Sequence, residues 1–127
     1  MILLDTSFLI DYFRGSEGTK KLIENDVAIT TISYHEIMTG VKWKKAKNEE
    51  RFFRRFFSSV RILEYDISAA EESSTVASRL SAIGKEVNAL DLLITGIAVA
   101  NGIDHIATRD KDFSEIAKVT ALTVLNY

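Results

Sequence analysis

The chain has 127 residues, 46% of them hydrophobic and 27% charged, and 16 Lys and Arg against 18 Asp and Glu give a formal net charge of −2. This composition predicts one globular domain over residues 1–127, and no apolar run approaches the roughly 18 residues needed to span a bilayer. Cysteine is absent, which excludes a disulfide framework and thiolate metal sites; with no basic leader at the start, a cytoplasmic protein without a membrane partner is expected.

Ile2-Leu3-Leu4 is a short apolar run stopped by Asp5, the pattern of a strand buried on both faces. Ser7–Arg14 reads as a short helix closed by Gly15, and Glu17–Asn25 as a second. Val27-Ala28-Ile29, then Ile32, suggests the second strand, with Ser33 ending it and capping a helix to about Lys47. Asn48–Phe57 continues helically, and Phe52, Phe53, Phe56 and Phe57 share one broad stripe, as core or dimer contacts do. Val60–Glu64 is the third strand, followed by a long helix capped by Asp66 or Ser68 and closed by Gly84. Asn88–Asn101 is the most apolar helix. Ile103–Thr108 gives a fourth strand, Lys111–Lys118 a short helix and Ala121–Leu125 a fifth strand. Strands separated by helices imply parallel crossovers and a three-layer α/β/α sandwich.

Charge is unevenly spread. Residues 42–61 hold half of the Lys and Arg, among them Lys42, Lys44, Lys45 and Arg51. Such a face can guide RNA despite the mildly acidic total, although lysines on a helix also serve simply as a solvated surface. His35 and His105, the only histidines, read as structural.

Four acids stand where elements begin or end. Asp5 follows the first strand, Glu36 lies in the first turn of the helix after the second strand, Asp91 opens the apolar helix, and Asp110 follows the fourth strand. Taken singly, each has a capping role: Asp5 at the start of its helix, Ser33–Glu36 as a capping box, Asn88–Asp91 as a weaker one, and Asp110 or Asp112 before the short helix. Taken together they carry more. If the strand order reverses between the first and fourth strands, Asp5 and Asp110 flank that switch point, and ligands bind at such crevices. Carboxylates gathered there repel one another unless a cation joins them, and oxygen-only ligands suit Mg²⁺ or Mn²⁺.

Asp5-Thr6-Ser7 after an N-terminal apolar strand, Glu36-Ile37-x-x-Gly40, Asp91-Leu92-Leu93-Ile94 and Thr108-Arg109-Asp110-x-Asp112-Phe113 occur in the order and spacing of the PIN domain family. The chain resembles, more narrowly, the VapC-type toxins of VapBC toxin–antitoxin pairs. The resemblance implies a five-stranded parallel sheet in the order 3-2-1-4-5, a metal-dependent endoribonuclease, a homodimer and a cognate VapB-type antitoxin. It also implies Asp5, Glu36 and Asp91 as metal ligands, a fourth acid from Asp110 or Asp112, and Thr6 and Thr108 hydroxyls in support. In that scheme Asp5, Asp91 and Asp110 hold one divalent ion, and Glu36 orients the attacking water or assists a second ion. A phosphoacceptor receiver domain lacks its acidic pair and its lysine here, whereas a PIN domain serving RNA processing or RNA binding without an antitoxin fits the same residues.

Overall fold

The computed structural model describes residues 1–127 and contains a parallel five-stranded sheet in the expected order, β3-β2-β1-β4-β5. The strands are β1 (Ile2–Leu4), β2 (Val27–Thr30), β3 (Arg61–Leu63), β4 (His105–Ala107) and β5 (Thr123–Leu125). The helices are α1 (Thr6–Phe13), α2 (Glu17–Leu22), α3 (Thr31–Lys44), α4 (Lys47–Phe57), α5 (Ile67–Ala82), α6 (Ala89–Ala100) and α7 (Asp112–Ala117). No helix is long and apolar enough to cross a membrane.

Successive residues of a strand face opposite sides of the sheet. Leu3, Ala28 and Ile106 therefore pack with Leu80 of α5, Ile94 of α6 and Phe113 of α7. Leu4, Ile29 and Ala107 pack on the other side, with Phe8 of α1, Val41 of α3 and Phe53 of α4. Two cores on one sheet make the three layers. The stripe on α4 is part of the second core: Phe53 and Phe57 are buried, while Phe52 and Phe56 lie against Tyr12 and Phe13 of α1.

Local chemistry moves several boundaries from those expected. The Thr30 hydroxyl accepts a hydrogen bond from Ser33 N at 3.1 Å, so Thr30, not Ser33, caps α3. Ile32 thereby belongs to the helix rather than to the strand, and Glu36 falls in the second turn rather than the first. Nor do the two basic helices form one rod. Lys45 adopts the left-handed conformation (φ 55°) and ends α3, which lets α4 turn back and deliver its phenylalanines to the core.

One glycine records how closely α5 and α6 approach. A Cβ on Gly96 would lie 2.4 Å from the Ala69 carbonyl oxygen and 2.7 Å from Ser73 Cβ. Because the first of these is backbone, the helices must part to admit it. Gly96→Ala is expected to destabilise the protein by about 3 kcal/mol in chemical denaturation; an unchanged midpoint would show that the two helices slide apart freely.

Candidate active site

Strand register builds the centre of the site. Leu4 pairs with Ala107 across β1 and β4, and Asp5 N donates to Ala107 O at 3.1 Å, so Asp5 and Thr108 leave the sheet side by side. From there the chain leads to β2 and β3 on one flank and to β4 and β5 on the other, which opens a crevice at the carboxyl edge. Asp5 occupies the cap position of α1 but makes no capping hydrogen bond. Its Oδ2 instead accepts from the Thr108 hydroxyl at 2.7 Å and the Ser7 hydroxyl at 3.1 Å. Each hydroxyl is aimed by a backbone N–H: Asp110 N donates to Thr108 Oγ1 at 3.0 Å and Arg109 N to Ser7 Oγ at 3.1 Å. The helices on the two faces of the sheet bring further acids to this edge. The Thr6 hydroxyl donates to Glu36 Oε1 at 2.8 Å and lies 3.0 Å from Ser33 Oγ. Glu36 is thus held toward Asp5 by a neighbouring element and closes no capping box. Asp91 does open α6, but Asn88 alone caps it, accepting from Leu90 N at 2.8 Å.

Carboxylate atoms of Asp91, Asp110 and Asp112 lie within 4.8 Å of one another. Asp5 and Asp91 are buried, 3% and 6% exposed, Glu36 is half-buried and Asp110 exposed. Burial pushes the Asp91 carboxyl up to about 8, with Asp110 and Asp5 adding repulsion. Burial likewise raises Asp5 against the pull of Thr108, the Thr6 amide and Ser7, and raises Glu36 against that of Thr6. Asp110 adds repulsion at Asp5, Glu36 and Asp91 alike. Asp112, half-buried where Asp110 is exposed, accepts from Asn88 N at 2.9 Å through its Oδ2, which ties it to the residue that caps α6, and it does not cap its own helix. Asp110 Oδ1 accepts from Asp112 N at 3.0 Å, so the expected cap role of Asp110 coexists with its place in the crevice.

Asp91 Oδ2 is buried without any hydrogen-bond partner. A buried, unsatisfied carboxylate oxygen costs free energy, and surrounding it with further acids raises that cost. A divalent cation removes both penalties at once. The donor set, all carboxylate oxygen with hydroxyls behind it, fits Mg²⁺ or Mn²⁺ and offers no nitrogen or sulfur for softer metals.

The four lysine and arginine candidates do not converge on the crevice as a group: Lys42, Lys44, Lys45 and Arg51 lie on α3, its cap and α4, and only Lys44 lines the groove that reaches Glu36. Three residues that support the site were given no supporting role by the sequence. Ser7 stood beside Asp5 in its motif, and Ser33 read as a helix cap. Asp11 did give a signal, as a lone acid in Phe8-Leu9-Ile10-Asp11-Tyr12-Phe13. Its Oδ2 accepts from Arg109 Nε at 2.7 Å and from the Tyr127 hydroxyl at 2.6 Å, tying the Thr108–Asp110 turn to α1. Thr108→Val removes both the hydroxyl that donates to Asp5 Oδ2 and the acceptor for Asp110 N while keeping the side-chain shape. Divalent-metal affinity by calorimetry is expected to fall about 10–100-fold with the fold retained; wild-type affinity would leave Thr108 no role there.

A parallel α/β sandwich with a carboxylate crevice of cation-binding type at its switch point is the class of protein that fold and site define. The chain belongs to the PIN domain family, which it matches over residues 2–119. It is 22% identical over 121 residues, 90% of each chain, to the tRNA(fMet)-specific endonuclease VapC of Shigella flexneri. Its fold is that of VapBC2 from Rickettsia felis, solved bound to a promoter DNA fragment, with a TM-score of 0.87, 22% identity and coverage of 100% of this chain and 99% of that one. FitAcB from Neisseria gonorrhoeae is similar too, with a TM-score of 0.80, 26% identity and coverage of 99% and 97%.

Proposed function

We infer that this chain, as one PIN domain of residues 1–127, is a VapC-type toxin: a divalent-metal-dependent endoribonuclease that hydrolyses RNA phosphodiester bonds. The carrying observation is the buried, orphaned Asp91 Oδ2 within a cluster of carboxylates at the sheet's switch point. Asp5, Asp91 and Asp110 are the residues that would hold Mg²⁺ or Mn²⁺, with Glu36 beside them and Asp112 adjoining Asp91 and Asp110. Asp110 is favoured over Asp112 as the fourth acid because it faces all three of the others, whereas Asp112 is occupied with Asn88 N. When bound, such an ion draws charge from the phosphoryl oxygens and from the leaving 3′ oxygen.

The chain's own residues supply order and proton traffic. Thr108 and Ser7 lock Asp5, and Thr6 engages Glu36 Oε1. Because burial raises Glu36, it can orient a water and take its proton as the new O–P bond forms and the P–O3′ bond breaks. The likeness to solved VapBC assemblies supports a VapB-type antitoxin as partner, and the family resemblance supports a homodimer acting in the cytoplasm.

The test is cleavage of total cellular RNA by antitoxin-free protein, with Mg²⁺ or Mn²⁺, with chelator, and with Asp5→Asn in parallel. Discrete fragments that vanish with chelator, and a loss of at least about 100-fold in the variant, are expected. Full metal-dependent cleavage by Asp5→Asn would refute the assignment.

A further inference from the structure

A groove of about 120 Å³ leaves the carboxylate crevice between α1, α3 and α4, running along α3 from Glu36 past Gly40 to Lys44, with Arg14 on its α1 wall and Glu49 on α4. Gly40 presents no side chain there, so this wall stays open. Trp43 shares the Glu36 face of α3: at 100° per residue it lies about 20° from Glu36 around the helix and roughly 10 Å along its axis. It is 84% exposed. The other exposed large apolar side chains, Met1, Ile67 and Ile83, lie on neither α3 nor α4. A lone indole is not the contiguous apolar patch that a protein partner buries. Lysines are the commonest charges near it in sequence: Lys42, Lys44, Lys45 and Lys47 flank it, neither these nor Arg14 are engaged in an ion pair, and the neighbouring acids are Glu49, which lines the groove, and Glu50, which feels Lys42 and Lys47. An exposed aromatic face among unpaired cations has the makeup of a single-strand track, in which bases stack and phosphates meet positive charge.

We propose that Trp43 is a stacking platform for the base of a nucleotide one or two positions from the scissile phosphate of single-stranded RNA, with Arg14 and Lys44 holding the intervening phosphate. This rests on the ribonuclease reading above and adds to it the path the strand takes. The span from Glu36 to Trp43 is on the order of one to two nucleotides. Stacking on an indole is sequence-tolerant, so this contact adds affinity and register rather than base identity.

Trp43 is the only tryptophan in the chain, so intrinsic emission reports this position alone. A short, dye-labelled, single-stranded RNA of mixed sequence is titrated into the Asp5→Asn protein, which halts turnover and lessens repulsion in the crevice. Dye anisotropy and tryptophan emission are followed together. Saturable quenching in step with anisotropy is expected, with RNA affinity about 10-fold weaker in Trp43→Ala and within about threefold in Trp43→Phe. In the active protein, Trp43→Ala is expected to raise KM and leave kcat near wild type. RNA that binds without altering emission, and equally well to Trp43→Ala, overturns the platform and leaves the ribonuclease reading standing. Emission that changes on concentrating the protein alone and is indifferent to RNA assigns the face to a second copy, and likewise overturns it. No RNA binding at all overturns both readings.

Discussion

Asp91→Asn is expected to stabilise the metal-free protein while abolishing metal-dependent RNA cleavage. Both effects come from one atom. Asp91 Oδ2 is buried without a partner, and burial, Asp110 and Asp5 push the carboxyl up to about 8. Near neutral pH the folded chain must therefore either hold a proton on Asp91 or keep an unpaired charge among other acids. Asparagine ends that conflict, since its amide donates a hydrogen bond toward Asp110 and carries no charge. The gain in unfolding free energy at pH 7–8 is on the order of 2 kcal/mol, less than the full shift implies because the site rim is open to water. On the proposed function the same change removes a charged ligand, and cleavage should then fall by at least about 1000-fold. Urea denaturation and fragment analysis on one preparation measure the two together. A variant less stable than the parent in the absence of metal would mean that Asp91 supports the fold and is not strained by it.

Removing metal should also invert how stability depends on pH. Asp91 titrates at an ordinary 3.8 when unfolded and near 8 when folded, so the folded state binds the proton more tightly. Its contribution to stability is fully present below about pH 4, declines as pH rises by up to about 1.4 kcal/mol per unit, and is lost as pH passes 8. Asp5 and Glu36, also raised, act in the same direction. Metal-free protein is accordingly expected to melt at a lower temperature at pH 8 than at pH 5.5. Divalent-ion binding requires the deprotonated carboxylates, so it strengthens over the same range and releases protons. At 100 times its dissociation constant, Mg²⁺ should add about 2.7 kcal/mol. Melting curves of parent and Asp91→Asn with and without Mg²⁺ isolate the effect. Equal pH slopes in the two metal-free proteins would remove Asp91 as its source.

The expected elements are present in order, and the reasons are local. Ile2-Leu3-Leu4 could only be a strand buried on both faces, and the apolar helix from Asn88 ends at Asn101, just before Gly102. Where boundaries moved, a side chain three residues away decided. Thr30 and Ser33 are equally good caps in sequence, and only the hydrogen bond to Ser33 N selects Thr30. Lys45 in a left-handed turn carries no sequence signal, because lysine is not a residue that seeks that conformation.

By itself, then, the sequence determined which residues are apolar at which period, where chain direction changes, and that acids stand at four of those changes; all of this follows from neighbours a few positions apart. The family resemblance supplied the strand order, since hydrogen bonds between distant strands leave no trace in local periodicity. Tertiary structure alone decided the rest. It set Thr6 on Glu36 and Thr108 on Asp5, and it tied Asp11 to Arg109. It also gathered Asp110 and Asp112 beside Asp91, with one oxygen of Asp112 on Asn88 N. These pairs lie 24 to 103 positions apart. Whether an acid caps a helix or strains against its neighbours depends on burial and distance, and both exist only once the sheet has brought the strand ends together.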